Sequence, residues 1–232
     1  MQTKDRVILA LDGMPYEECR ELLAKIGKSI YGVKITDLLD NEGPSIFESL
    51  HSLGISRVWA DVKLHDTPTT AHNRAKVLSK WGCDMISVHA SGGYEMIQEA
   101  RKGFGPKGEI FAVTALTSLD PLDVLTIYND STESVIAKMA DQAFSSGCIN
   151  GLVCSGQEVR VLSSISKYHG LRFVVTGIRS AGIAKNDQQR VLTPKEALDN
   201  GASLLVVGRQ ITLSRNPVAA FYKLKEELES AV

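Results

Sequence analysis

Residues 57–90 read RVWADVKLHDTPTTAHNRAKVLSKWGCDMISVHA. The run opens on a short apolar stretch, 57–64, whose far end carries Asp61 and Lys63. An amphipathic segment, 69–81, follows, with Gly82 just past its end. A second apolar stretch, 85–90, then begins. Read by period and stop signals, this is strand, helix, strand.

Working outward, the same unit recurs about every 20–30 residues along the chain. Strands are expected near residues 6–12, 31–35, 57–64, 85–90, 109–116, 151–155, 172–177 and 203–208. Amphipathic segments include 15–26, 69–81, 134–146 and 194–200, and 217–228 closes the chain. Pro15 and Pro194 suit first helical turns, while Gly27, Gly54, Gly82, Gly147 and Gly201 sit just past helix ends. Nearly continuous apolar strands alternating with helices imply a parallel sheet covered on both faces. Eight such units in 232 residues predict one domain, 1–232, of α/β class: a closed (β/α)₈ TIM barrel. An open eight-stranded parallel sheet is the competing architecture.

Composition is that of an ordinary globular chain, 44% hydrophobic and 23% charged. The 26 Lys plus Arg nearly cancel the 27 Asp plus Glu, so net charge points to neither nucleic acid nor an anionic membrane. A small anionic ligand would need cations placed locally. Cys19, Cys83, Cys148 and Cys154 are widely spaced with no CxxC pair, which reads as reduced thiols rather than a disulfide framework or zinc site. The polar residues 1–6 run straight into a strand, and no apolar run approaches the ~18 residues of a membrane span. The expectation is a soluble, cytoplasmic protein.

In such a barrel, function sits at the C-terminal ends of the strands. Those positions are unusually polar here. Strand 1 ends in Asp12, strand 2 carries Lys34, and strand 3 carries Asp61 and Lys63, with Asp66 just beyond. Residues two apart on a strand share a face, so Asp61 and Lys63 should both point into the barrel mouth while Val62 packs outward. Charges buried there must be paired or used. They could be a structural ion-pair plug, but five charges from three consecutive strand ends favour a site.

Gly208-Arg209 after strand 8, with Gly177-Ile178-Arg179 one strand earlier, suggests a phosphate grip. The polar stretch 180–190 (SAGIAKNDQQR) is expected to be a lid, with Gln188 or Gln189 reaching the ligand. His65, His72 and His89 lie nearby, but their spacing matches no helix-face ligand pair and the lysines would repel a cation, so no metal is expected. Cys154 reads as core rather than nucleophile, and Trp59 and Trp81 as packing residues.

Asp61-Val62-Lys63-Leu64-His65-Asp66, a D-x-K-x-x-D after a strand, resembles the signature of the orotidine 5′-phosphate decarboxylases. The resemblance runs the length of the chain, through ALD (10–12), VKI (33–35), VHASGG (88–93), VTALTS (113–118), TGIRSAG (176–182), DQQRVLTP (187–194) and VVGRQIT (206–212). D-x-K-x-x-D alone would also fit related sugar-phosphate decarboxylases and aldolases. The resemblance implies decarboxylation of orotidine 5′-monophosphate without cofactor or metal, by a homodimer with shared sites.

It further implies the following roles. Lys63 would protonate C6 of the pyrimidine, with Asp61 beside the departing carboxylate. Asp66 and Thr70 would reach into the partner's site, and Thr67 would help line it. Asp12 and Lys34 would hold ribose hydroxyls, Lys34 also extending the charge array. Thr117 would bind the pyrimidine edge. Arg179, Gln188, Gly208 and Arg209 would grip the phosphate, with Gln188 bridging from lid to base. The chain departs from the family's pattern where Thr67 replaces an apolar residue, and where Thr176 and Ser180 replace prolines.

Overall fold

The computed structural model describes residues 6–181 and 191–230. The short apolar runs form eight strands: β1 (Val7–Ala10), β2 (Gly32–Ile35), β3 (Val58–Leu64), β4 (Met85–His89), β5 (Glu109–Val113), β6 (Gly151–Ser155), β7 (Arg172–Thr176) and β8 (Leu204–Val207). Each pairs in parallel with its sequence neighbours, and β8 pairs with β1, closing the barrel. The open-sheet alternative is thereby excluded.

Side-chain alternation divides the apolar residues into two cores. One face of the strands fills the barrel interior with Ile8, Trp59, Met85, Phe111, Val174 and Leu204. The opposite face, including Val7, Leu9, Ile86 and Val88, packs against the surrounding helices. Strands buried on both faces are what near-continuous apolar runs produce.

The helices are α1 (Tyr16–Ile26), α2 (Asp37–Glu42), α3 (Ser45–Ser52), α4 (Pro68–Lys80), α5 (Tyr94–Phe104), α6 (Pro121–Tyr128), α7 (Thr132–Ser145), α8 (Gly156–Ser164), α9 (Pro194–Asp199), α10 (Arg209–Thr212) and α11 (Pro217–Glu229). α5 illustrates the logic: Met96, Ile97, Ala100 and Phe104, three to four residues apart, are all buried. A fully buried large apolar side chain contributes about 1.5–3 kcal/mol. Gly103 allows α5 to lie close against α4, because an added Cβ would fall 2.2 Å from the His72 carbonyl oxygen. Leaving Gly103→Ala no room, this contact is where a single methyl would push two helices apart.

Several sequence expectations are corrected in detail. Pro15 is the residue before α1 rather than part of its first turn. Gly27 is right-handed and continues into a short 3₁₀ turn, unlike Gly54, Gly82, Gly147 and Gly201, whose φ values are positive. Trp81, at the end of α4, is 40% exposed, so it is not a core residue, whereas Trp59 is fully buried. The four cysteines are free thiols. No helix among the described residues is long and apolar enough to cross a membrane.

Candidate active site

Paired strand segments end short of the polar residues that follow them. β1 ends at Ala10, two residues before Asp12, and β8 at Val207, just before Gly208. These loop residues, with Lys34 from within β2 and Asp61 and Lys63 from within β3, surround a shared cavity. This cavity, about 590 Å³, opens at the C-terminal end of the barrel. Asp12, Lys34, Asp61 and Lys63 line one side. Thr117, Arg179, Gly208 and Arg209 line it as well.

The first four form a chain of alternating charge. Lys34 Nζ donates to Asp12 Oδ2 at 2.6 Å and lies 3.2 Å from Asp61 Oδ2. Lys63 Nζ donates to the same Asp61 Oδ2 at 2.8 Å. The third proton of the Lys34 ammonium has Thr36 Oγ1 at 3.3 Å, so all three of its donors have acceptors. Lys34 and Asp61 are buried, and the Lys63 and Asp12 side chains are about two-fifths exposed, at 39% and 41%. The array therefore runs along the cavity wall, buried at its two inner members and part-exposed at both ends.

Burial would drive both inner groups towards neutrality, and their mutual pairing overcomes it. For Lys34, desolvation pulls the ammonium down, but Asp61 and Asp12 outweigh it and hold its pKa above the usual lysine value. For Asp61, desolvation pushes up, but Lys34, Lys63 and the hydrogen bonds from Lys63 and Ser87 hold the carboxyl below its usual value. Charges so held do not need to reorganise when a ligand's charge changes.

Asp61 and Lys63 reach the mouth by a route simple alternation does not describe. β3 and β4 pair as Trp59 with Met85 and Ala60 with Ile86, and next as Leu64 with Val88. Asp61, Val62 and Lys63 thus lie opposite Ser87 alone, in a bulge. Lys63 sits there with φ of 45°, a left-handed conformation costing a non-glycine residue about 1–2 kcal/mol. Val62 packs outward against the helix-facing core, as expected.

At the far side of the cavity, β7 and β8 are tied together above their last pairs. Gln210 accepts from the Ser180 backbone N–H at 2.8 Å and donates to Ser180 Oγ at 2.7 Å. Gly177 turns with φ of 73°, and Ile178 makes a parallel bridge with Leu192, so residues 178–180 and 191–193 run side by side. Arg179 is buried here and donates to the Ile178 carbonyl oxygen. Of the expected lid, residues 182–190, Gln188 and Gln189 among them, lie outside the described residues.

Asp66, Thr67 and Thr70 do not line their own chain's cavity. Asp66 and Thr67 are exposed, Thr67 being extended ahead of Pro68 with φ −61° and ψ 152°. Asp66 accepts from the Thr67 backbone N–H, and Thr67 donates to Thr70 Oγ1.

Two residues escape the sequence reading. Asp37, at the start of α2, lines the cavity and accepts from the Gly13 N–H at 2.9 Å, joining the loops after β1 and β2. Ser87 donates to Asp61 Oδ1 at 2.7 Å. An isolated serine in an apolar strand carries no signal of that kind; an aspartate two residues after Lys34–Ile35 could have been noticed. His65 and His89 stack, with Ser91 Oγ near a ring nitrogen of each. Burial, His65 and Lys63 together hold His89 below the usual histidine value. Among the described residues no cluster of His, Cys, Asp and Glu has the form of a metal site.

Fold and site together define a (β/α)₈ barrel with a lysine–aspartate array and two arginines around one C-terminal cavity. A sequence model of the orotidine 5′-phosphate decarboxylase / HUMPS family matches residues 5–224, and the chain belongs to that family. It is 41% identical over 227 residues to an orotidine 5′-phosphate decarboxylase of Streptococcus pneumoniae serotype 19F (strain G54), covering 96% of each chain. Among solved structures, orotidine 5′-phosphate decarboxylase from Lactobacillus acidophilus superposes with a TM-score of 0.80 at 33% identity, over 96% of this chain and 98% of that one. The enzyme of the same name from Pyrococcus horikoshii OT3 shares the fold at a TM-score of 0.79 and 22% identity, over 96% of this chain and 99% of that one.

Proposed function

We propose that this barrel decarboxylates orotidine 5′-monophosphate to uridine 5′-monophosphate and CO₂, the closing step of pyrimidine nucleotide synthesis, with Lys63 as the proton donor. The observation that carries the reading is the Asp12–Lys34–Asp61–Lys63 series, which ends on an ammonium in the same cavity that Arg179 and Arg209 line.

The chemistry makes demands that these residues meet. Loss of CO₂ from C6 leaves an sp² carbanion that no π-system delocalises. A cation already fixed beside C6 stabilises that charge as it develops, and the same ammonium then delivers the proton. Asp61 keeps Lys63 oriented and stands beside the departing carboxylate. Asp12 and Lys34 hold the ribose hydroxyls, and Thr117 meets the pyrimidine edge. Arg179, Gly208 and Arg209 take the phosphate, with Gln188 closing from the segment between them. Binding energy from the phosphate is used to organise the reacting end. The charge stabilisation and the proton both come from side chains, so neither metal nor organic cofactor is required.

The working unit in this reading is a cytoplasmic homodimer. Asp66 and Thr67, which are exposed, and the part-buried Thr70, none of which lines its own chain's cavity, complete the partner's site. One assay tests the whole reading: purified protein mixed with orotidine 5′-monophosphate, followed by the ultraviolet change on loss of the carboxylate. Binding of uridine 5′-monophosphate with no turnover of the substrate would mean a silent nucleotide-binding barrel instead.

A further inference from the structure

Ser87 is fully buried in the middle of β4 and does not line the cavity. Its neighbours Ile86 and Val88 belong to the helix-facing core, and Met85 to the barrel interior, so Ser87 points inward beneath the mouth. A hydroxyl in such surroundings is costly unless both its donor and acceptor capacity are used. Here they are used on the two residues of the bulge that carry charge. The O–H donates to Asp61 Oδ1 at 2.7 Å, and the oxygen accepts the Lys63 backbone N–H at 2.9 Å.

We infer that Ser87 is a positioning residue for the reaction, its one hydroxyl orienting the Asp61 carboxylate and holding the Lys63 backbone in its left-handed turn. The division of labour at Asp61 supports this. With Oδ1 occupied by Ser87, Oδ2 is presented to Lys63 at 2.8 Å and to Lys34 at 3.2 Å. The bulge leaves three residues of β3 facing one of β4, and within it the Ser87 side-chain oxygen accepts the Lys63 N–H. Strained backbone persists only where its surroundings over-determine it, and this hydroxyl acts there beside the Lys63–Asp61 ion pair. Its effect falls on the reacting end of the cavity, whereas Arg179 and Arg209 follow the ends of β7 and β8.

The inference rests on the proposed decarboxylation, and the test separates the two. Ser87→Ala should lower kcat roughly 10- to 100-fold, as loss of supporting contacts and small misplacements do, with KM changed by less than about threefold. Ser87→Thr, which keeps the hydroxyl, should recover turnover to within about tenfold of wild type. Ser203 Oγ, part-buried, accepts the Phe173 N–H at the opposite end of the barrel, so Ser203→Ala controls for loss of a hydroxyl that holds a strand backbone N–H. It should lower Tm without lowering kcat. The Lys63 amide should exchange slowly with solvent deuterium in wild type and much faster in Ser87→Ala.

A Ser87→Ala protein that loses Tm like Ser203→Ala but keeps kcat within about twofold makes the hydroxyl merely structural and overturns the inference. So does a rise in KM at constant kcat. Should Ser87→Ala not fold, Ser87→Thr carries the comparison: turnover supports the inference, and folded protein without turnover overturns it. If wild type does not act on orotidine 5′-monophosphate, the functional reading fails, while amide exchange at Lys63 still judges Ser87.

Discussion

Asp61 and Lys63 are two residues apart, and their charged ends meet at 2.8 Å across a bulge in which Lys63 is left-handed. The contact leaves Asp61 with two cations, since Lys34 approaches the same oxygen at 3.2 Å. Removing Lys63 therefore does not strand a buried carboxylate.

Lys63→Ala should on that account fold normally and still bind the phosphate-bearing substrate, while losing nearly all turnover. The interaction matters chiefly in the transition state, so kcat falls far more than affinity. Steady-state kinetics beside a thermal melt check this. A variant keeping even about a tenth of wild-type kcat removes Lys63 from its role.

Asp61→Ala is expected to be worse for the fold than for binding alone. It leaves the buried Lys34 with Asp12, itself part-exposed, and the neutral Thr36 hydroxyl, and breaking a buried pair costs on the order of 3–5 kcal/mol. The pH dependence has a definite sign. The folded-state Asp61 carboxyl is held below its ordinary value of 3.8, so its stabilisation is present above that pH and is lost as pH falls through the lower folded value. Urea unfolding should show wild type losing stability below about pH 4 more steeply than Asp61→Asn does. Parallel pH curves for the two proteins would contradict this account.

Arg209→Ala should weaken substrate binding and slow the chemical step with it. Truncating one partner of a charge pair costs on the order of 2–5 kcal/mol. Phosphite dianion should partly restore turnover of a truncated, phosphate-free substrate by the wild-type enzyme. Unchanged KM and kcat in the variant would remove Arg209 from the phosphate grip.

Activity should survive exhaustive dialysis against EDTA, because Lys63 supplies the cation and the proton. Loss on chelation and recovery with added metal would favour the sugar-phosphate chemistry that the D-x-K-x-x-D pattern also fits.

The shared site predicts complementation between inactive variants. Lys63→Ala and Asp66→Ala homodimers should each be nearly inactive. In a mixed dimer one site carries both lesions and the other neither, because a two-fold interface makes the exchange reciprocal. Subunit exchange should restore up to about half of one dimer's wild-type activity. A differentially tagged heterodimer that stays dead would show that Asp66 acts within its own chain.

Much of this protein is written locally. Apolar runs of strand length, helical spacing between them and glycines after the helices are properties of neighbouring residues, and they determine a parallel βα repeat. The charged residues at the strand ends could likewise be read off one by one: Asp12, Lys34, Asp61, Lys63, Arg179 and Arg209 all line the one cavity. What sequence could not supply is the relation between strands. The order of charges in series depends on registers such as Lys34 with Trp59, and those follow from closure of all eight strands at once. The bulge at Lys63, the pairing of Ser87 with Asp61 and the meeting of Gly13 with Asp37 join residues 24 to 26 positions apart. A serine's local pattern is the same whether its hydroxyl faces a carboxylate or a void. Only the folded barrel decides which, because a hydrogen bond depends on distances of a few ångströms that no local pattern encodes.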